Sequence, residues 1–157
     1  MVGGNLPLSL FDRLIDDAPD ERQDAVESPD AAFERLKLGL RRDLEGLLNA
    51  KRPHSPWLNR TPEVADTVVG FGLTDLSTED FGTASARERI RRMIATCIRT
   101  YEPRLTRVEV DVDGAPTSTG VRFRINAVLR VEQFEEQVVY DARLRPSDRG
   151  IAVNLAR

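Results

Sequence analysis

Few residues in this sequence have the type and spacing that catalysis or metal binding requires. His54 is the only histidine and Cys97 the only cysteine. A metal site needs several ligands at defined spacing, and a nucleophile needs a base beside it, so both residues lack the partners for such roles. A single cysteine also rules out an intrachain disulfide or a Cys-based zinc site. The sequence therefore predicts no metal, no cofactor, and a Cys97 that serves as a small buried side chain.

Carboxylates are abundant, with 26 acidic residues. A glycosidase would need two of them flanking a cleft, about 5 to 9 Å apart, one with a raised pKa. Here they fall in linkers, on polar helix faces and in turns, which argues against an enzyme and leaves a muramidase as a remote alternative. The Gly70-Phe71-Gly72 segment lacks the glycine spacing and the following lysine of a phosphate loop, so nucleotide binding is rejected as well.

One charged pair flanks a proline, in the order Glu102, Pro103, Arg104. The acceptor-only carboxylate and the guanidinium fork can each form charge-assisted hydrogen bonds, and the proline stiffens the chain between them. Two interpretations stay open at this point. The two side chains offer their bonds to a partner protein, or they pair with each other and merely fix the local structure.

The stretch before this pair predicts an amphipathic helix. Ser85 and Glu88 have the spacing of a capping box, so the helix should begin at Ser85. Pro103 should end it near Tyr101 or Glu102. Apolar residues at spacings of three and four form its buried stripe: Ile90, Met93, Ile94, Cys97, Ile98 and Tyr101. The charged pair thus lies at a helix-to-strand corner, with Leu105 opening the strand.

A second amphipathic helix is predicted upstream, capped by Ser28 and continuing from Pro29 to about Asn49. Its stripe is leucine-rich: Phe33, Leu36, Leu40, Leu44, Leu47 and Leu48. Basic residues on its other face alternate with acidic ones and have no interleaved aromatic residues, so we expect a solvated surface and no nucleic-acid binding. The net charge of −3 agrees with that reading.

Between the helices the chain should form a loop over residues 52–60, in which Trp57 covers an edge of the core. A short helix capped at Thr61 should then run through Val64, Val68 and Val69.

After the helix that ends near Tyr101 the apolar period changes from about 3.6 to 2, which is typical of strands. Four strands are predicted from the alternating residues: Val108, Val110 and Val112; Val121 to Val131 at odd positions; Val138 to Leu144 at even positions, after a turn near Glu135; and Ile151, Val153 and Leu155. The fold class is α+β, with two to three helices on one face of an antiparallel meander of three to four strands.

The chain of 157 residues, 40% of them hydrophobic, suits one domain, and we assign it to residues 28–157. Residues 1–27 combine an apolar piece around Leu10, Phe11 and Leu14 with an acidic run that we interpret as a flexible linker. The apolar piece either straps back onto its own domain or docks on a partner. No apolar run approaches the roughly 20 residues of a membrane span and no secretory signal is visible, so we expect a cytoplasmic protein.

Four landmarks give the sequence a family resemblance. They lie at residues 9–14, 40–49, 67–75 and 102–105. In this order they resemble the baseplate wedge family of contractile injection machines, in particular the TssE subunits of type VI secretion, whose phage relative was once labelled lysozyme-like. The third landmark departs from the family pattern Ser-x-x-Asn-Tyr-Gly-Leu-Pro-Asp at Gly70, Phe71 and Thr74.

The resemblance implies a structural subunit without a cofactor. It implies contacts with the larger wedge subunits TssF and TssG and with the sheath subunits TssB and TssC, with the spike or hub as a further candidate. It also implies that Glu102, Pro103 and Arg104 serve in assembly, and that a sheath strand extends an open edge of the sheet. The competing interpretation is a regulatory adaptor on the same fold that binds one soluble partner.

Overall fold

The computed structural model describes Leu14 and residues 28–53, 56–76, 80–131 and 134–156. It confirms the α+β class: from residue 28 onward, the described residues form three α-helices and a four-stranded antiparallel sheet whose strands neighbour one another in chain order. The helices are α1 (Pro29–Asn49), α2 (Pro62–Ala65) and α3 (Ala84–Tyr101). The strands are β1 (Leu105–Val112), β2 (Val121–Val131), β3 (Phe134–Leu144) and β4 (Ile151–Leu155).

Helix α1 begins and ends where the sequence predicts. The Ser28 hydroxyl accepts a hydrogen bond from the Ala31 N–H at 3.2 Å, and Pro29 fills the first helical position, where an N–H would have no partner anyway. The five leucines of the predicted stripe are buried, and Phe33 packs against them partly buried. This leucine stripe fixes the face of α1 that lies on the sheet.

Helix α3 begins one residue before Ser85, so the predicted capping box is wrong. Its cap is Thr83, whose hydroxyl accepts from the Ala86 N–H at 3.3 Å. Glu88 instead binds Arg91, at 2.7 and 2.8 Å. The earlier cap is compatible with burial of Ala86, the first apolar residue of the stripe. The predicted stripe and the end at Tyr101 are confirmed.

The sheet places its apolar residues on one face, as the alternation predicts. In β2 every odd residue is buried, and in β3 the even residues from Val138 to Leu144 are buried. Strand β3 begins at Phe134 and Glu135 pairs with Arg130, so the turn precedes the predicted position near Glu135. β4, predicted from three residues, is present and buries Ile151 and Val153.

A β-bulge lies at the start of β1. Thr106 pairs with Val128 and Glu109 with Asn126, so Arg107 and Val108 together oppose one residue of β2. Arg107 adopts a φ of 51°, a conformation that non-glycine residues seldom take. The extra residue reverses the alternation, which allows both Leu105 and Val108 to face the core.

The two long helices cover one face of the sheet, each beneath an edge strand. Helix α3 packs mainly on β1 and helix α1 on β4, and the helices also contact each other. A single core of helix and strand side chains results. The remaining face of the sheet carries charged residues of the central strands, such as Arg122, Arg124 and Arg143, which are exposed.

The connection before α3 differs from the prediction. Helix α2 is only one turn, because the Thr67 hydroxyl caps a separate 3-10 turn over Val68–Gly70. Val68 is 84% exposed, so it does not continue an apolar helix face. Trp57 is 51% exposed, and its neighbour Leu58 takes the buried position that Trp57 was expected to cover.

Two sequence predictions fall outside the described residues. His54 is not among them, and neither are Leu10 and Phe11. Leu14 is described, is helical and has 77% of its surface exposed. No helix in the described part of the chain is long and apolar enough to cross a membrane.

Candidate functional site

The corner after α3 is held by backbone hydrogen bonds on both sides of Pro103. The Glu102 N–H donates to Ile98 O at 2.9 Å and closes the helix, and the Leu105 N–H donates to Glu102 O at 3.1 Å. The Arg130 N–H of β2 donates to Arg104 O at 2.8 Å. The corner is therefore held jointly by α3 and the first two strands.

Three charged side chains form an ionic cluster at this corner. Arg104 donates from Nε and Nη2 to the two carboxylate oxygens of Glu102, each at 2.6 Å. Its Nη2 also donates to Asp43 Oδ2 on α1 at 2.8 Å. The fork geometry is the one in which a guanidinium binds a carboxylate most strongly. The cluster ties α1 to the corner across a separation of 61 residues in the chain.

Burial makes these contacts strong. Glu102 is only 6% exposed and is the one charged residue classed as buried in the described part of the chain. The side chains of Arg104 and Asp43 are each 25% exposed. Hydrogen bonding to Glu102, aided by Asp43, raises the pKa of Arg104 further above its already high value, so Arg104 is a permanent cation.

Close to the cluster, Tyr140 of β3 is fully buried, and its hydroxyl donates to Lys37 O at 3.2 Å. Burial raises the pKa of Tyr140. Its hydroxyl therefore acts as a neutral structural donor. The polar groups around the corner are thus occupied by bonds within the chain.

The structure brings the predicted residues Glu102 and Arg104 together and shows that they pair internally. Pro103 between them is exposed. Sequence reasoning missed Asp43. The sequence did contain one indication of Asp43. It lies three residues after Leu40 and one before Leu44, which places its side chain beside the buried stripe of α1. A contact with a partner protein through this corner stays a prediction.

The sheet edges, proposed from the sequence as open, are partly closed by helix side chains. On β4, Asn49 of α1 bonds to both backbone groups of Ile151, its Nδ2 to O at 2.8 Å and its Oδ1 to N at 2.9 Å. Arg41 donates to Val153 O at 3.1 Å. In an edge strand of an antiparallel sheet, every second residue points its N–H and C=O away from the neighbouring strand. Ile151 and Val153 are such residues. Side chains of helix α1 thus bind three of the outward backbone groups of β4.

On β1 the cover consists of arginine side chains from α3. Arg99 donates to Val108 O at 2.5 and 3.2 Å, and Arg91 donates to Val110 O at 3.0 Å. Arginines satisfy only carbonyl oxygens, because a guanidinium cannot accept a hydrogen bond. The outward N–H groups of β1 therefore need a different partner, and Arg99 itself is exposed.

A group of side chains suited to metal binding is not assembled in the described residues. No three His, Cys, Asp or Glu side chains there are close enough to hold a metal ion. Cys97 is buried, and burial raises its pKa to about 11, which keeps the thiol protonated and unreactive near neutral pH.

The fold and the corner together define a small structural domain, with two helices on one face of a meander and a charged corner fixed by internal pairing. A sequence model of the family described as "Baseplate wedge protein gp25" matches residues 34–133. Since this match covers more than half of the chain, the chain belongs to that family, and its role is that of a structural baseplate component. No curated protein and no solved structure gives a significant match.

Proposed function

We propose that this protein is the small wedge subunit of a type VI secretion baseplate, of the TssE type. It joins the larger wedge subunits, which are TssF- and TssG-like, to the first ring of a contractile sheath made of TssB- and TssC-like subunits. It works in the cytoplasm and transforms no substrate. The observation that carries the proposal is the family match over residues 34–133, which includes the landmarks at 40–49, 67–75 and 102–105.

The corner contributes shape and charge to this assembly. Glu102 is buried and holds the guanidinium of Arg104, so it acts as an anchor for its neighbour. Pro103 is exposed and the side chains of Arg104 and Asp43 are each 25% exposed, so these three present the surface that a wedge subunit contacts. Because the corner is already rigid, a partner that binds there loses little affinity to ordering it.

The N-terminal segment supplies a second contact. Leu10, Phe11 and Leu14 form an apolar set at helical spacing, and Leu14 is helical with 77% of its surface exposed. An exposed apolar residue of this kind, with further apolar residues near it in the sequence, suits a hydrophobic groove on a larger subunit. We propose that the segment docks there and that residues 28–157 form the wedge domain proper.

The edge of β1 is the one we propose for a sheath strand. On β4, Asn49 satisfies both backbone groups of Ile151, whereas on β1 the arginines bind only carbonyl oxygens. A partner strand on β1 would thus meet N–H groups that no arginine can satisfy, and it would displace the side chains of Arg91 and Arg99. Strand addition through main-chain hydrogen bonds needs such an edge.

Co-expression with the wedge and sheath proteins encoded in the same genome tests the proposal. Tagged wild-type chain should purify with the larger wedge subunits, and a Glu102→Ala, Arg104→Ala double variant should lose them while keeping its folded circular-dichroism spectrum. A control variant removes the exposed pair Arg124 and Asp141, which are 3.3 Å apart on the open sheet face. It should retain the subunits.

Two results would count against the proposal. If the corner variant keeps its wedge partners, the corner is not the contact. If the tagged wild-type chain returns one soluble protein and no wedge or sheath protein, the chain is an adaptor.

A further inference from the structure

A cleft of about 390 Å³ lies between α3 and the segment that precedes it. One stripe of α3 forms its first wall, with Arg92, Met93, Cys97 and Tyr101 among the lining residues. The stripe spans three turns, since residues 89 to 101 rise by about 18 Å in an α-helix. The opposite wall includes Arg52 and Leu73, where the Leu73 N–H donates to Ala50 O at 2.9 Å.

The floor of this cleft is apolar and its rim is basic. Cys97 and Leu73 are buried beneath it and Met93 is partly buried. The lining residues include the cations Arg52, Arg89 and Arg92 and a single carboxylate, Asp66. The Arg92 side chain is 67% exposed. Its Nε donates to Glu88 O at 3.4 Å and lies 3.6 Å from the Glu88 carboxylate, whose closer bonds go to Arg91. The cleft thus carries a positive rim above an apolar floor.

An exposed apolar patch adjoins the cleft through Tyr101. The Phe71 ring packs edge-on against the Tyr101 ring, with centroids 5.4 Å apart, and Tyr101 lines the cleft. Val68 and Val69, which precede Phe71, are 84% and 39% exposed. The adjoining Gly70 packs so closely that an added Cβ would lie 2.7 Å from the Tyr101 hydroxyl, which fixes the patch relative to α3.

We propose that this cleft and patch bind an acidic amphipathic helical segment of a neighbouring protein in the baseplate. Three turns of exposed groove match the length over which a helix lays its apolar face into a partner. Carboxylates on that segment would meet Arg52 and Arg92, and its apolar residues would cover Met93 and the Val68 to Phe71 patch. The cleft lining contains none of the residues Glu102 to Arg104, and the inference rests on the proposed function only for placing the neighbour in a baseplate.

The chain's own N-terminal segment is similar in composition, since acidic residues follow Leu14. Leu14, however, is 77% exposed, so its side chain does not lie in the cleft. We therefore assign the cleft to a segment of another protein.

Site-specific photo-crosslinking in the native cell tests this inference. The full chain carries p-benzoylphenylalanine in place of Val68, with Arg143 on the open sheet face as the matched control position. After irradiation, the crosslinked peptide is sequenced by mass spectrometry. We expect a segment of a different protein with acidic residues and apolar residues at helical spacing, and no such product from the control position.

Charge reversal sharpens the test. Arg52→Glu with Arg92→Glu should lower the crosslink yield by about tenfold, since charge pairs of this kind decide whether a segment binds. The same reversal at Arg122 and Arg143 on the sheet face should leave the yield unchanged.

Several outcomes would overturn the inference. They are a crosslink to residues 1–27 of the chain itself, a crosslinked segment without carboxylates, equal loss of yield in both charge-reversed variants, and no product above the control. Co-purification of wedge proteins is scored in the same cells before irradiation. Their absence would count against the proposed function, whereas their presence with a failed crosslink would count against the cleft alone.

Discussion

The ionic cluster at the corner makes a quantitative prediction about stability. Arg104→Ala removes every side-chain partner that the structure gives to Glu102, which is 6% exposed. Breaking a buried pair from one side typically costs about 3 kcal/mol, because an uncompensated charge remains inside the protein. We therefore expect Arg104→Ala to lower the free energy of unfolding by about 3 kcal/mol.

The reverse change should be milder. In Glu102→Ala, Arg104 keeps its bond of 2.8 Å to Asp43, and its side chain, 25% exposed, can turn toward water. The expected loss is about 1 kcal/mol, the usual size for one hydrogen bond. The double variant leaves no buried charge at the corner, and we expect a total loss of about 1.5 kcal/mol, close to that of Glu102→Ala alone. The two effects are thus far from additive, with a coupling energy of about 2.5 kcal/mol.

Urea unfolding of the four proteins, followed by circular dichroism at pH 7, measures this coupling. The control cycle uses Arg124 and Asp141, whose side chains are 49% and 42% exposed. Exposed pairs of this kind contribute less than about 1 kcal/mol, so the control coupling should be small. Additive losses at the corner, or a loss below about 1 kcal/mol for Arg104→Ala, would refute the view that the cluster is buried and internally paired.

Three further predictions concern other parts of the chain. Gly70→Ala should lower the free energy of unfolding in urea by about 2 to 3 kcal/mol, because the added Cβ would lie 1.7 Å from the backbone oxygen of Ala65. Gly46→Ala is the control, since nothing lies within 4 Å of its added Cβ, and it should raise the free energy of unfolding by about 0.5 to 1 kcal/mol. Stability should fall as pH rises from about 9 toward 11, because the pKa of Cys97 is raised from 9.0 to about 11 and the fold therefore favours the protonated thiol. Cys97→Ala should lose that part of the pH dependence, and an equal slope in the variant would refute the assignment. Deleting residues 1–27 should leave the thermal transition nearly unchanged in calorimetry, and a large drop would show that the segment belongs to the core.

Local signals predicted the long elements of this fold well. Ser28 and Pro29 mark the start of α1, and Pro103 marks the end of α3, because capping and the missing proline N–H act within a few residues. The sheet followed from strict alternation, since each strand buries only one face. The sequence places the start of α3 wrongly because Thr83 and Ser85 are both good caps, and local spacing alone does not separate them.

Features that join distant residues could not be found in this way. Asp43 meets Arg104 only once α1 and the corner are packed, and the bulge at Arg107 depends on pairing with β2. The same holds for the side chains of Asn49 and Arg99, which cover the sheet edges. A strand edge predicted from sequence alone looks open, because the groups that close it come from other elements.

Purification of the tagged, full-length chain from its native cells, followed by mass spectrometry of everything that stays bound, tests the central claim most directly. A wedge subunit should return the larger wedge proteins together with sheath protein, and the corner double variant should return neither. Recovery of a single soluble partner, or of no baseplate protein at all, would contradict the account.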